Sequence, residues 1–251
     1  MLGVEGRVFI DGNASVIEQR HIDADRGSDF FRDFIGTTGT GVSPALVDRV
    51  ARKAKLVKDV PELNKYITDV SEEVNSALDK GETVHIEGTQ GFYLSLYHGT
   101  YPYVTGRDTT AAAVCSEVGV GPKRVDEVIV VLKSFVTRVG KGPLENELSP
   151  EEAEKRGFVE RGTVTGRLRR AAPFNFQMAK RACRVNGATQ IAVTKVDVVF
   201  PECSKARKRE SLSKRCIDFL KKIQDEIGVP VTIVGTGPDA EDTVYLGPRG
   251  V

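Results

Sequence analysis

Glu87-Gly-Thr-Gln-Gly-Phe-Tyr-Leu-Ser-Leu-Tyr-His-Gly-Thr-Tyr-Pro-Tyr-Val-Thr-Gly-Arg107 follows a short apolar run, Val84 and Ile86, and carries glycines, hydroxyls, aromatic rings and a terminal cation. A buried strand followed by a glycine-bearing polar loop is how α/β enzymes present ligand-facing groups at the carboxyl edge of a sheet. The stretch is therefore a candidate site on an α/β fold. The alternative is a tight turn leading into an aromatic-rich edge strand, because loops also take glycine for positive φ. Three other stretches bear on the choice: Gly36 to Arg52, Gly162 to Arg170, and Thr194 to Asp197.

Outward from that centre, 251 residues with 40% hydrophobic content can bury a substantial core and read as one large domain or two small ones, with one domain over 1–251 the expectation. A charged fraction of 28% with a net charge of +1 excludes a strongly basic nucleic-acid binder and an acidic tail, so small-molecule partners and no nucleic acid are expected. Cys115, Cys183, Cys203 and Cys216 lie far apart with no C-x-x-C pair, which suits a reducing compartment. His21, His85 and His98 are scattered, so no zinc-type site built by the protein is expected. No 18-residue apolar run and no signal-peptide pattern occur, so no membrane partner is expected and the location is read as cytoplasmic.

Punctuation along the chain gives the elements. Arg7 to Ile10 reads as a strand, with Ser15 capping a helix through Val16 and Ile22. Gly36 to Pro44 is too rich in glycine and threonine for regular structure, and a helix from Ala45 would put Arg49, Arg52 and Lys53 on one face. Pro61 opens a helix whose stripe Leu63, Tyr66, Ile67, Val70, Val74 and Leu78 is expected in the core until Gly81 ends it. Thr109 to Val118 reads as helical, and Val128-Ile-Val-Val-Leu132 as a strand buried on both faces. A short acidic helix begins near Pro150, Asn175 to Asn186 is a helix closed by Gly187, and Gln190 to Val193 is a strand that delivers Thr194-Lys-Val-Asp197. Lys205 to Arg215 is basic, but acidic residues are interspersed in the helix that continues through Leu212, Leu220, Ile223 and Ile227, so it reads as a solvated face. Val229 to Val234 is a further strand, followed by Gly235-Thr-Gly-Pro238.

Three groups could carry chemistry. A carboxylate at Asp197 after a strand can accept from both N1–H and the N2 amino group of guanine, with the Lys195 stem along the base plane; otherwise Lys195 and Asp197 are a surface pair in a loop. Arg167, Arg169 and Arg170, preceded by Thr163-Val-Thr-Gly166, suit carboxylates and phosphates, since guanidinium groups hold such anions through paired hydrogen bonds. Thr37, Thr38 and Gly39, with Arg52 beyond, form a third anion-friendly surface that is not a P-loop, because Val42 stands where that motif needs lysine.

Glu87-Gly-Thr-Gln-Gly, His98-Gly-Thr-Tyr-Pro-Tyr-Val-Thr105, Gly119-Val-Gly-Pro, Thr137-Arg-Val-Gly-Lys-Gly-Pro143, Gly162-Thr-Val-Thr-Gly-Arg-Leu-Arg-Arg170 and Thr194-Lys-Val-Asp197, in this order, resemble the adenylosuccinate synthetase family, in its short archaeal form. The resemblance runs from about Arg7 to Gly237. It implies a P-loop-NTPase-related α/β fold, a mostly parallel central sheet flanked by helices, and a ligase that joins IMP and L-aspartate at the expense of GTP with Mg2+. It assigns Thr38, Arg52, Gln90, Thr105 and Arg167 to IMP, with Arg52 reaching the partner's site in a homodimer. Thr163, Val164, Thr165 and Gly166, with Arg167, would close on aspartate. Arg169, Lys195, Val196, Asp197, Gly235, Thr236 and Gly237 would hold GTP.

Two departures from the family pattern are small: Val164 stands where threonine is frequent, and Leu168 where arginine is frequent. The large one concerns a G-D-E-G-K-G-type loop and an N-A-G-H-type segment, which in the family supply the general base, the phosphate lysine, part of the Mg2+ site and the acid/base histidine. None of these occurs in the 251 residues, and the neighbours of His21 match a different helix. The expectation is a chain incomplete at the N-terminus, inactive alone, that keeps the nucleotide and substrate readers, with Mg2+ ligands in the absent lobe. Open alternatives are one subunit of a split enzyme, a non-catalytic nucleotide-binding remnant, and a viral-type relative that uses dGMP.

Overall fold

The computed structural model describes residues 4, 6–162 and 166–251. Contacts gather the chain into two compact units: residues as far as Val125 together with Gly140–Gly142, and Asp126–Val139 together with Pro143–Val251.

In the first unit β1 (Ile10–Asp11) pairs in parallel with β2 (Ile67–Thr68), and α1 (Gln19–Gly27) and α2 (Val42–Val50) lie between them in sequence. Ser15 is not a helix cap. It bridges to Leu56, because Val16 N–H and Val57 N–H are spent on Lys55 and Ala14 carbonyls and hold this stretch extended, so α1 begins only after Glu18. The inner face of α1 is polar: His21 accepts the Glu18 N–H at Nδ1 (2.9 Å), which leaves Nε2 as the donor to Asp48 of α2 (3.1 Å).

The single helix expected from Pro61 to Leu78 is interrupted. Pro61–Tyr66 is a 3-10 turn, β-branched Ile67 and Thr68 join β1, and Asp69 starts α3 (Val70–Asp79) by accepting from Glu72 N–H at 3.0 Å. The apolar stripe is accordingly half-buried and not core. No strand forms at Val84 to Ile86 either; two apolar residues with no ladder partner leave that segment irregular and Ile86 exposed. By contrast the helix expected over Thr109 to Val118 forms as α4 (Ala111–Val118), capped by Thr110 and ended by Gly119 in the left-handed region.

The second unit carries β3 (Ile129–Lys133), β4 (Phe135–Arg138), α5 (Pro150–Lys155), β5 (Arg170–Pro173), α6 (Phe176–Asn186), β6 (Gln190–Thr194), α7 (Val196–Val199), α8 (Lys214–Ile227), β7 (Val231–Gly235) and β8 (Thr243–Tyr245). Its main sheet has the order β3-β6-β7-β8, parallel except for the β7–β8 pair, and β4 and β5 form a separate antiparallel pair. The core lies where α8 presents Cys216, Leu220 and Ile223 to Ile191, Val193, Val231 and Val234; full burial of such aliphatic chains stabilises by about 1.5–3 kcal/mol each. One correction concerns β3. Among the described residues it is an edge strand bonded only to β6, with Val130 and Leu132 turned to the core and Ile129 and Val131 exposed at 44% and 65%. A continuous apolar run does not distinguish a central strand from an edge one, so burial on both faces does not follow from it.

Candidate functional site

Because β3, β6 and β7 run parallel, their carboxyl ends lie side by side and present Lys133-Ser134, Thr194-Lys195 and Gly235-Thr236 at one edge. Ser134 ties the first two together: its N–H donates to the Thr194 carbonyl (2.9 Å) and its hydroxyl to the Lys195 carbonyl (2.6 Å). Lys195 has φ of 63°, a conformation that costs a residue with a Cβ about 1–2 kcal/mol. The turn it makes swings the chain from β6 directly into α7. Val196 is fully buried and anchors that turn, so it contributes packing and not a ligand-facing side chain. Asp197 stands partly exposed on the first turn of α7, and its carboxylate has no hydrogen-bond or ion-pair partner among the described residues.

The loop after β7 is built from within. Thr236 is fully buried: its hydroxyl donates to the Ala206 carbonyl (2.7 Å), its N–H to the Asp242 carbonyl (2.8 Å), and its own carbonyl accepts from Lys205 (2.9 Å). Its polar groups hold the loop, so a ligand there would meet the flanking glycines. A Cβ on Gly235 would lie 3.4 Å from Thr194, and one on Gly237 would collide with the Asp242 carboxylate. Gly235 permits the close approach to Thr194 at the end of β6, and Gly237 permits its own loop to fold tightly against Asp242.

Beneath the edge sits a cluster that the sequence did not advertise. Glu160 Oε2 accepts from Lys133 Nζ (3.0 Å) and from Arg169 (3.2 Å), while Oε1 lies 4.0 Å from Lys195 Nζ. Thr137 also donates to Oε2 at 3.3 Å. Three cations around one carboxylate leave an excess of two positive charges, suited to a phosphate-bearing ligand. Burial works against the ionised form of Glu160, but the hydrogen bond from Lys133 and the charges of Lys133, Lys195 and Arg169 outweigh it and hold its pKa below the ordinary value. Burial lowers the pKa of Lys133, and the charges of Arg169 and Lys195 add to that against the opposing pull of Glu160.

Arg169 stands at the base of a hairpin. Its N–H donates to the Glu160 carbonyl (2.8 Å), Arg161 bridges Leu168, and Gly162 N–H donates to the Arg167 carbonyl (2.9 Å). Gly166, with φ of 63°, closes the far side. Thr163, Val164 and Thr165 lie outside the described residues. The three arginines expected to act as one anion cage are divided: Arg167 is exposed, Arg169 serves Glu160, and Arg170 is paired with Glu147 through a 2.7 Å bond from Nε.

In the first unit Gln90 and Thr105 meet directly, with Gln90 Nε2 donating to Thr105 Oγ1 at 3.1 Å. Gln90 has φ of 71°, so it too holds a backbone angle that side chains resist. Thr38 is exposed beside Thr40 (3.2 Å) in the loop that enters α2, a helix N-terminus where backbone N–H groups favour anions. That loop is held from behind by Asp25, which accepts from Gly41 N–H (2.9 Å), and by Arg26, which donates to the Gly39 carbonyl (2.9 Å). Gly106, next to Thr105, packs against Ser43 and Leu46 of α2. Arg52 departs from expectation. Helix α2 ends at Val50, and Arg52 lies in the turn beyond with φ of 61°, so Arg49, Arg52 and Lys53 do not share a helix face. Arg49 and Arg52 instead line a hollow of about 250 Å³ with Ala54 and Leu56.

Among the described residues no group of three His, Cys, Asp or Glu side chains is placed to hold a metal ion, and no step is assigned to Mg2+. Nor is any helix of the described residues long and apolar enough to cross a membrane.

Comparison with known proteins gives the family. The family model for adenylosuccinate synthetase matches residues 54–202. An adenylosuccinate synthetase of Methanosphaera stadtmanae is 54% identical over 243 residues, 97% of this chain and 71% of the relative. That of Methanocaldococcus jannaschii is 53% identical over 243 residues, 97% of this chain and 70% of the relative. The fold matches the fully ligated adenylosuccinate synthetase of Plasmodium falciparum with a TM-score of 0.87 at 21% identity, over 96% of this chain and 78% of that one. A cyanophage S-2L succinoaminodeoxyadenylate synthetase bound to dGMP and dATP matches with a TM-score of 0.73 at 25% identity, over 94% of this chain and 68% of that one. With identity above one half across nearly its whole length, the chain belongs to the adenylosuccinate synthetase family, the GTP-dependent ligases of purine nucleotide biosynthesis.

Proposed function

We propose that the second unit of this chain holds GTP and the first contributes the IMP contacts of the family reaction, in which L-aspartate is joined to IMP. The observation that carries this is the pair of adjacent strand ends after β6 and β7. An unpaired Asp197 carboxylate follows one and the Gly235 to Pro238 loop follows the other, so an acceptor for the two donors on the guanine edge stands beside a glycine-bearing loop. Arg169 and Lys195 supply positive charge beside it. In the same proposal Thr38 meets the IMP phosphate, Gln90 and Thr105 act as a pair on the nucleotide, Arg167 and the 163–166 loop serve aspartate, and Arg52 serves a neighbouring subunit's IMP. The chain works in the cytoplasm with its four cysteines reduced, and Mg2+ enters through residues other than those described.

The 251 residues by themselves are proposed to bind without turning over. They contain no G-D-E-G-K-G-type loop, and general base catalysis alone is typically worth about 100-fold to 10,000-fold. The competing acceptor and donor are the dGMP and dATP named for the cyanophage enzyme. A lysine and a carboxylate after β6, matched to guanine, favour GTP.

The test is binding of GDP to the chain by calorimetry, with ADP as the competitor. Asp197→Asn is expected to weaken GDP at least tenfold, because a charge-assisted hydrogen bond contributes about 1.5–3 kcal/mol. Equal GDP affinity in wild type and variant, or tighter binding of ADP than of GDP, would remove the assignment.

A further inference from the structure

We infer that Glu160 is a positioning residue for the nucleotide: it joins Lys195, the cation on the base side, to Arg169, so that the two cations act as one unit. This rests on the GTP assignment proposed above and deepens it. Glu160 comes from neither strand end. It lies at the root of the hairpin that carries Gly162 and Gly166, and it holds Arg169 twice, by its carbonyl to the Arg169 N–H (2.8 Å) and by Oε2 to the guanidinium (3.2 Å). The side chain is only 13% exposed, and Lys133 and Thr137 fix Oε2 from below. The other oxygen is left over. Oε1 is buried and has no hydrogen bond, yet Lys195 Nζ stands 4.0 Å from it, about 1 Å beyond normal hydrogen-bond reach.

A buried carboxylate oxygen without a hydrogen bond is costly and waits for a donor. Lys195 can supply it by a small movement, since its Cα is fixed by the left-handed turn, its carbonyl by Ser134, and only the stem is loose. A base seated against Asp197 would press that stem down along its plane and bring Nζ onto Oε1. The buried Nε of Arg169, likewise without a hydrogen bond, belongs to the same incomplete arrangement. Glu160 touches no ligand in this scheme. It sets where both cations stand when the nucleotide arrives.

The experiment measures GDP affinity of the full 251-residue chain by calorimetry for wild type, Glu160→Gln, Lys195→Met, the double variant and Glu160→Asp, with Asp197→Asn in parallel. Expected are a loss of at least tenfold for Glu160→Gln in protein that remains folded at 25 °C by circular dichroism, and a further loss of less than twofold when Lys195→Met is added to it. Such non-additivity is the mark of two groups acting through one contact, and a purely structural glutamate does not produce it. Glu160→Asp keeps the charge that holds Lys133 and Arg169 but shortens the reach to Lys195, so a loss similar to that of Lys195→Met is expected. Should Glu160→Gln fail to fold, Glu160→Asp decides. Wild-type GDP affinity in Glu160→Asp, affinity within twofold of wild type in Glu160→Gln, or single effects that multiply in the double variant would each overturn the inference. If Asp197→Asn is also silent, the nucleotide assignment itself falls; if Asp197→Asn weakens GDP while the Glu160 variants do not, only the positioning role falls.

Discussion

Glu160 illustrates why a site can be half legible in a sequence. Lys195 and Asp197 stand two residues apart behind a strand, and that spacing could be read directly; Glu160 meets Lys133, Arg169 and Lys195 only through the fold, from 27, 9 and 35 positions away. No local pattern encodes such a meeting. Backbone angles were equally hidden, although Arg52, Gln90 and Lys195 are three of the five non-glycine residues with positive φ among those described, and strain of this kind collects at functional positions. The ionisation of Glu160 carries a further consequence. Its folded pKa lies below the unfolded carboxylate value of about 4.3, so its contribution to stability is complete above that pH and is lost as pH falls through the lower folded value. The difference in urea midpoint between wild type and Glu160→Gln should therefore be full at pH 6 and shrink toward pH 3. A difference that stays constant over that range would show that the cluster is not what holds the carboxylate ionised.

At the scale of elements, punctuation was read well and pairing was not. Asn175 and Gly187 bound α6 at its two ends, Ser149-Pro150 starts α5, and Gln190 to Thr194 forms β6, all from residues whose local chemistry dictates the ending. The failures share a different cause. Ile67 and Thr68 left a helical stripe to pair with β1, β8 joined β7 antiparallel without being foreseen, and Val84 to Ile86 found no partner, each decided by a distant strand. The junction of β3 and β6 offers a test of how strongly such pairing supports the site. Ser134 is 3% exposed, and Ser134→Ala would leave the Lys195 carbonyl without the hydroxyl that now donates to it. A loss of about 1–3 kcal/mol in unfolding free energy is expected from a buried group left unpaired, together with weaker GDP binding as the Lys195 turn loosens. Unchanged stability in denaturant titration would mean that water replaces the hydroxyl without cost.

For the whole molecule, the proposed function requires a second copy, since Arg52 is assigned to a neighbour's IMP. Light scattering with IMP present should then give about twice 27.3 kDa. Mixing Arg52→Ala chains with Thr38→Ala chains should restore IMP binding, because random pairing puts both lesions into one site in about half of the dimers and leaves the other site intact. A monomer that binds IMP, or no recovery after subunit exchange, would end that assignment. The outer edge of β3 has a separate consequence, for how the protein behaves in storage. Ile129 and Val131 project from a strand whose ladder on that side is open among the described residues, and such an edge is a template on which further chains can add as amyloid-like layers. Concentrated solutions should thicken and gain thioflavin fluorescence over days, and Val131→Lys, which places a charge on the strand, should lengthen the life of the preparation with no change in GDP affinity.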